Sequence, residues 1–253
     1  MYDRAKAEGR HRLAMPALEQ AAGALIAGIT IVFGIVALAI TDADVGSALG
    51  PGPGRIAGAL AFGIGFVFLV VGRTELFSEN FFDPVAAVLE EPGRARVLRL
   101  LRLWGIVLVL NLAGAAMMAA IFVVPQALPD GAPEVLVRIA EDLASRDGWA
   151  TLARSVAAGA LITLMSYLLH ATDQVVARAG LAYLVGFLVA LGPFDHVVVS
   201  ETHLLLGWWL GAAVDAGDLA TGFLIAAAGN LLGGILLMTF THVVQVLGAR
   251  RRA

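Results

Sequence analysis

The chain has 253 residues, 59% of them hydrophobic and 15% charged, with a mean hydropathy of +0.85 and a formal net charge of −3. Soluble domains are about 45–50% apolar and about 25% charged, so this composition excludes an ordinary globular domain and marks an integral membrane protein. No cysteine is present, which removes disulfides, thiolate metal sites and cysteine nucleophiles from consideration.

The first 19 residues are polar and carry Arg4, Lys6, Arg10 and Arg12. They do not read as a signal peptide, because the apolar run that follows is too long and has no small-residue cleavage pattern; the segment is instead available as a gate. A spanning helix needs about 20 mostly apolar residues, and six stretches qualify in chain order. They are 18–40, 55–72 with its continuation 81–90, 101–124, 150–170, 179–213 with a break near 193, and 219–247. The longest polar segment is a loop near 125–149, which leaves no room for a soluble domain.

The basic residues alternate with these spans. With six crossings, Arg4 to Arg12, Arg94 to Arg102, Arg178 and Arg250 to Arg252 fall on one side, opposite Arg55, Arg138, Arg146 and most of the loop acids. The positive-inside rule then predicts cytoplasmic termini in an inner or plasma membrane, and basic ends on one side require an even number of crossings.

Two spans are interrupted. Gly72-Arg73-Thr74-Glu75-Leu76-Phe77-Ser78-Glu79-Asn80 breaks the second and Leu191-Gly192-Pro193-Phe194-Asp195-His196 the fifth. Backbone that leaves the helix at membrane depth survives only inside protein or beside a polar cavity, so two such breaks predict a pore. The halves also echo each other: Ala21–Ile26 recurs as Ala157–Ile162, Leu76-Phe77-Ser78-Glu79 as Val198-Val199-Ser200-Glu201, and Asn111-Leu112-Ala113-Gly114 as Asn230-Leu231-Leu232-Gly233. Three spans per unit is odd, so the second copy enters the membrane inverted. The expected fold class is an all-α membrane protein, a single transmembrane channel domain over 1–253, with six transmembrane helices in two inverted three-helix repeats (about 18–124 and 150–247) and broken helices 2 and 5.

An ionisable side chain at this depth is a functional candidate by default, which singles out His196. His203 lies two helical turns further on and shares its face; reaching toward the outer interface is its competing role. Glu75, Glu79 and Glu201 are expected to pair structurally, with Arg73 a candidate partner for Glu75. Phe77 and Phe194 flank the breaks as candidate constrictions that exclude water. The five histidines are scattered and neither a nucleotide loop nor a nucleophile triad exists. Neither metal nor cofactor is expected, nor a nucleic-acid partner, nor enzymatic activity.

Glu75-Leu76-Phe77-Ser78 with Asn80, Phe194-Asp195-His196 and Gly229-Asn230-Leu231-Leu232-Gly233-Gly234 together resemble the formate/nitrite transporter family, over nearly the whole chain. The resemblance implies a homopentamer of aquaporin-like protomers in the lipid bilayer, each passing a small anion or weak acid through its own pore. It also implies that His196 is the central pore histidine, that Leu76, Phe77 and Ser78 form the inner constriction, and that Asn230 orients the site. The family usually has threonine where Ser78 stands; better-known members carry phenylalanine at Val189, asparagine at Gly159 and asparagine at Ser200. These departures resemble a less characterised branch. The competing readings are a proton-coupled secondary transporter of a small carboxylate and a neutral-solute channel, the latter without the two Asn-Pro-Ala turns it would be expected to show.

Overall fold

The computed structural model describes residues 1–250, the last as backbone only; Arg251 and Arg252 of the basic C-terminal cluster lie outside the described residues, as does the Arg250 side chain. Every regular element among the described residues is helical. In chain order these are α1 (Tyr2–Ala14), α2 (Ala17–Leu49), α3 (Pro51–Val71), a 3-10 turn (Phe77–Phe81), α4 (Asp83–Glu90), α5 (Arg94–Phe122), α6 (Ala132–Ala144), α7 (Gly148–Leu169), α8 (Val175–Leu191), α9 (Val197–Trp209), α10 (Ala216–Leu231), a π-helical stretch (Leu232–Phe240) and α11 (Thr241–Arg250).

Helix ends follow local chemistry. Gly50 adopts φ +96° and hands over to Pro51 at the first position of α3, where a missing N–H costs nothing. Asp147 caps α7 by accepting from the N–H groups of Trp149 and Ala150, and Asp215 with Asp218 forms a capping box on α10. Five helices are long and apolar enough to cross a membrane: Ala17–Leu49, Pro51–Val71, Arg94–Phe122, Gly148–Leu169 and Ala216–Ala249. The apolar helix Val175–Leu191 is shorter, at 17 residues.

The main core joins α2, α3, α5, α7, α8 and α9 around Ile31, Ile35, Phe62, Phe66, Leu69, Leu103, Ile162 and Met165. Large apolar side chains such as Leu18, Val176 and Leu224 cover the outside, as lipid or neighbouring protein requires. Two polar segments, of which only the second was expected to be a loop, are helical. The polar N-terminus forms α1, which packs against α4, and the loop near 125–149 contains α6, which packs against α9. The loop reading failed because α6 is short and amphipathic: Val135, Leu136 and Ala140 are buried while its charged face lines a cavity.

Candidate functional site

The chain leaves the helical path twice in its apolar interior. After α3, Arg73 takes a left-handed φ of +52°, Thr74 donates its N–H and its hydroxyl back to the Leu69 carbonyl, and residues 74–76 run without helix into the 3-10 turn. After α8, Gly192-Pro193 ends the helix because proline has no N–H to give and restricts the residue before it. Phe194 to His196 are non-helical, with His196 at the N-cap of α9.

Backbone groups freed this way need partners, and one asparagine serves each segment. Asn111 Nδ2 donates to the carbonyls of Ala24 (2.8 Å) and Glu75 (2.9 Å), and its Oδ1 accepts from the Phe77 N–H (3.0 Å). Asn230 Nδ2 donates to the carbonyls of Ser155 (2.8 Å) and Asp195 (3.0 Å), and its Oδ1 accepts from the Val197 N–H (2.9 Å). The Glu75 N–H donates to Gly23 O as the Asp195 N–H donates to Arg154 O. Gly28 lets α2 close on the Asn111 carbonyl and Gly159 lets α7 close on that of Asn230; an added Cβ would sit 2.0 Å and 2.2 Å from those oxygens.

These correspondences set a register. Gly23, Ala24 and Gly28 match Arg154, Ser155 and Gly159, an offset of 131 residues (28 to 159). The identical hexamers Ala21–Ile26 and Ala157–Ile162, 136 apart (21 to 157), are therefore five residues out of register, a coincidence of small apolar composition. At the breaks Phe77 matches Val197, so the Ser-Glu echo is two residues out, and Leu76 is the positional counterpart of His196.

Beyond this point the halves diverge. The α9 side continues as a regular helix, whereas Phe77–Phe81 is a 3-10 turn whose carbonyls are met one by one: Ser78 by the Thr163 hydroxyl, Glu79 by that of Ser166, Asn80 by Trp104 Nε1–H and Phe81 by the Thr239 hydroxyl. Phe77 and Phe81 pack edge to face at 4.8 Å, and Phe81 meets Trp104 in the same way. Gly234 lies where the Phe81 ring presses on the π-helical stretch.

His196 is fully buried, with Nε2 2.9 Å from the Ser78 hydroxyl and Nδ1 unpartnered. Leu76, Phe77 and Ser78 are buried beside it. A cavity of about 800 Å³ opens toward α1, where Arg12, Glu75 and Glu79 are among the lining groups, and one of about 230 Å³ opens toward α6, with Val189, Phe194, Ser200 and His203 in its wall. Neither cavity is lined by Leu76, Phe77, Ser78 or His196. His203 bonds Val199 O through Nδ1 at 3.0 Å, leaving Nε2 buried and without a partner.

The charges pair differently from the sequence-based expectation. Glu75 is joined by Arg12 of α1 at 3.5 Å and by Asn80 Nδ2 at 3.0 Å, not by Arg73. Asn80 also bonds Arg12 and the Leu76 carbonyl, so it braces the turn. Asp195 holds both Arg146 (2.9 Å) and Arg154 (3.1 Å). Glu79 and Glu201, expected to pair, each keep a buried carboxyl oxygen without a partner. Four participants were missed. Asn111 was legible as the counterpart of Asn230, while Arg12, Arg146 and Arg154 gave no local signal because their partners are 63 (12 to 75), 49 and 41 residues away.

The profile of the formate/nitrite transporter family matches residues 1–244. The inner membrane protein YfdC of Escherichia coli is 24% identical over 246 residues, covering 97% of this chain and 78% of that protein. A probable formate transporter of Methanothermobacter thermautotrophicus is 24% identical over 231 residues, 84% of this chain and 83% of its own. Among solved structures, an FNT family ion channel superposes with TM-score 0.82 at 16% identity, covering 95% of this chain and 96% of its own. A pentameric formate channel with formate bound gives 0.76 at 17%, covering 91% and 98%.

Proposed function

Because the chain belongs to the formate/nitrite transporter family, we propose that it is a membrane channel for small monovalent anions or their weak acids, with one conduit per protomer and His196 at its centre. The observation that carries this reading is the buried imidazole 2.9 Å from Ser78, with one cavity beside α1 and another beside α6; His196, Leu76, Phe77 and Ser78 are read as the seal between them. An anion entering such a neck loses several kcal/mol of solvation. A histidine, with an unperturbed pKa near 6.5, offsets this by pairing with the anion or by supplying a proton, after which the neutral acid passes Leu76 and Phe77.

In the full architecture we propose, residues 18–124 and 150–247 are inverted repeats of three spans, with α3 and α4 as the two parts of the second span and α8 and α9 as those of the fifth. The matched Asn111 and Asn230 networks support this pairing. Both termini are then cytoplasmic, which places the α1 cavity inside and the α6 cavity outside. A homopentamer follows by analogy with the pentameric formate channel, and the exposed apolar flanks of the helices supply the contact surfaces.

The unpartnered carboxyls of Glu79 and Glu201, one on each side of the seal, favour proton-coupled transport as the second reading. Stopped-flow uptake of formate, nitrite, acetate and lactate into liposomes holding the purified protein, at pH 5.5 and 7.5, separates the two. Passive, pH-dependent flux down a gradient supports the channel; uphill accumulation driven by a proton gradient supports the coupled transporter; no flux of any weak acid removes both.

A further inference from the structure

The inner mouth is an unwelcoming place for an anion. At its deep end Glu75, Glu79 and Asp83 are all buried, and Glu79 has an oxygen with no donor. Asp83 is met by His170 at 2.9 Å. The other arginines lining this cavity are nearer the rim: Arg4 is exposed and bound to Asp173, Arg73 is exposed and Arg178 is half-buried. Among the described residues, Arg12 is the one arginine or lysine of this cavity whose side chain is buried against the deep carboxyls, at 13% exposure.

Arg12 is delivered there by α1, and α1 is built to stay. Tyr2, Ala5 and Leu13 are buried, and Gly9 lies so close to α4 that an added Cβ would sit 1.9 Å from the Asp83 carbonyl oxygen. Lys6 pairs with Glu90 at 2.5 Å and Gln20 bonds the Arg12 carbonyl at 2.9 Å. The guanidinium itself reaches Asn80 (3.2 Å), Glu75 (3.5 Å) and Glu8 (3.2 Å). A removable stopper would not be expected to carry a close-packed glycine on one face and ion pairs at both ends.

We propose that α1 is a fixed wall of the conduit and that Arg12 supplies the positive charge that lets an anion pass the inner mouth. This rests on the anion-conducting reading. Without Arg12 the ion meets the fields of Glu75, Glu79 and Asp83 with only the more exposed Arg4, Arg73 and Arg178 of the same wall to offset them, in surroundings where charges at short range are poorly screened. The polar N-terminus then acts through its charge and not as a gate.

Formate influx into liposomes containing the full-length protein, measured at pH 7 in low and high potassium sulfate, tests this. Arg12→Gln is expected to lower influx about tenfold at low salt, with a smaller deficit at high salt, and Arg12→Lys to recover most of it. The double variant Arg12→Gln with Glu79→Gln is expected to regain flux, because it removes an uncompensated carboxyl along with the cation; a purely structural role for Arg12 would not be rescued this way. Gly9→Ala, which forces α1 off α4, is expected to lower influx as well. Increased flux in Gly9→Ala or in Arg12→Gln would make α1 a plug and overturn the proposal, as would unchanged flux in Arg12→Gln or failure of the double variant to recover. If the unmodified protein carries no formate or other weak acid, the anion-channel reading fails first and this proposal with it.

Discussion

His196 Nε2 and Ser78 Oγ are 2.9 Å apart although 118 residues separate them in sequence. Each belongs to the segment that follows a helix break, so one hydrogen bond joins the two breaks. Ser78 in turn is held by the Thr163 hydroxyl on its carbonyl, and His196 is held at the N-cap of a helix that Asn230 orients.

If that imidazole handles the permeating acid, His196→Ala and His196→Phe will flatten the rise in weak-acid flux between pH 7.5 and 5.5. The phenylalanine also leaves the Ser78 hydroxyl without its imidazole partner, and losing several kcal/mol of compensation at the neck corresponds to a flux decrease of more than about tenfold. Stopped-flow liposome assays measure both; an unaltered pH response in the two variants removes the histidine from the mechanism.

Asn111→Ala and Asn230→Ala should destabilise the protein by similar amounts, because each leaves the same pair of break groups without a partner, one carbonyl (Glu75 or Asp195) and one N–H (Phe77 or Val197), while the Ala24 and Ser155 carbonyls keep their places inside α2 and α7. At about 1–3 kcal/mol for each orphaned group, a loss of roughly 2 kcal/mol or more is expected. Thermal unfolding in detergent reads it, and a large loss in only one variant would contradict the equivalence of the two networks.

Val189 is buried in the wall of the cavity beside α6, which Phe62 and Phe194 also line. A larger ring there narrows the neck by excluded volume, so Val189→Phe should slow lactate and acetate more than formate, shifting the formate-to-lactate flux ratio several-fold. Equal slowing of all three acids would place the size-limiting point elsewhere.

Docking of α1 should weaken at alkaline pH. The hydrogen bond from Lys6 to Glu90 raises the Lys6 ammonium above its ordinary value of 10.5. A group whose pKa is raised on docking contributes fully below its undocked pKa and loses that contribution as pH climbs through the raised value. Protease cleavage near residues 10–16 should therefore be slow at pH 8 and speed up above about pH 10.5, and Lys6→Gln should speed it at pH 8 already.

Much of the fold was legible because membrane insertion leaves a coarse signature. Spanning segments must be long and apolar, and a glycine-proline pair or a run of charged residues inside one has few explanations. The non-helical stretches at 74–76 and 194–196 and the burial of His196 agree with such reading. The first-helix register did not, since Ala and Gly recur too often for a six-residue identity to carry weight. Gly159 is instructive in the same way: what reads as a lost amide donor is the contact that lets α7 reach the Asn230 carbonyl, so Gly159→Asn would force the two helices apart.

The amino-acid sequence by itself determined the membrane class, the two non-helical segments at 74–76 and 194–196 and the identity of the buried histidine, because each depends on local composition and on the backbone rules of glycine and proline. Only the tertiary structure decided that Arg12 meets Glu75, that Arg146 and Arg154 share Asp195, and that Glu79 and Glu201 are left with an unpartnered oxygen. Ion pairs and seals form between groups far apart in the chain, and which of several charges comes within 4 Å of another is set by how the helices cross, a quantity that no local pattern encodes.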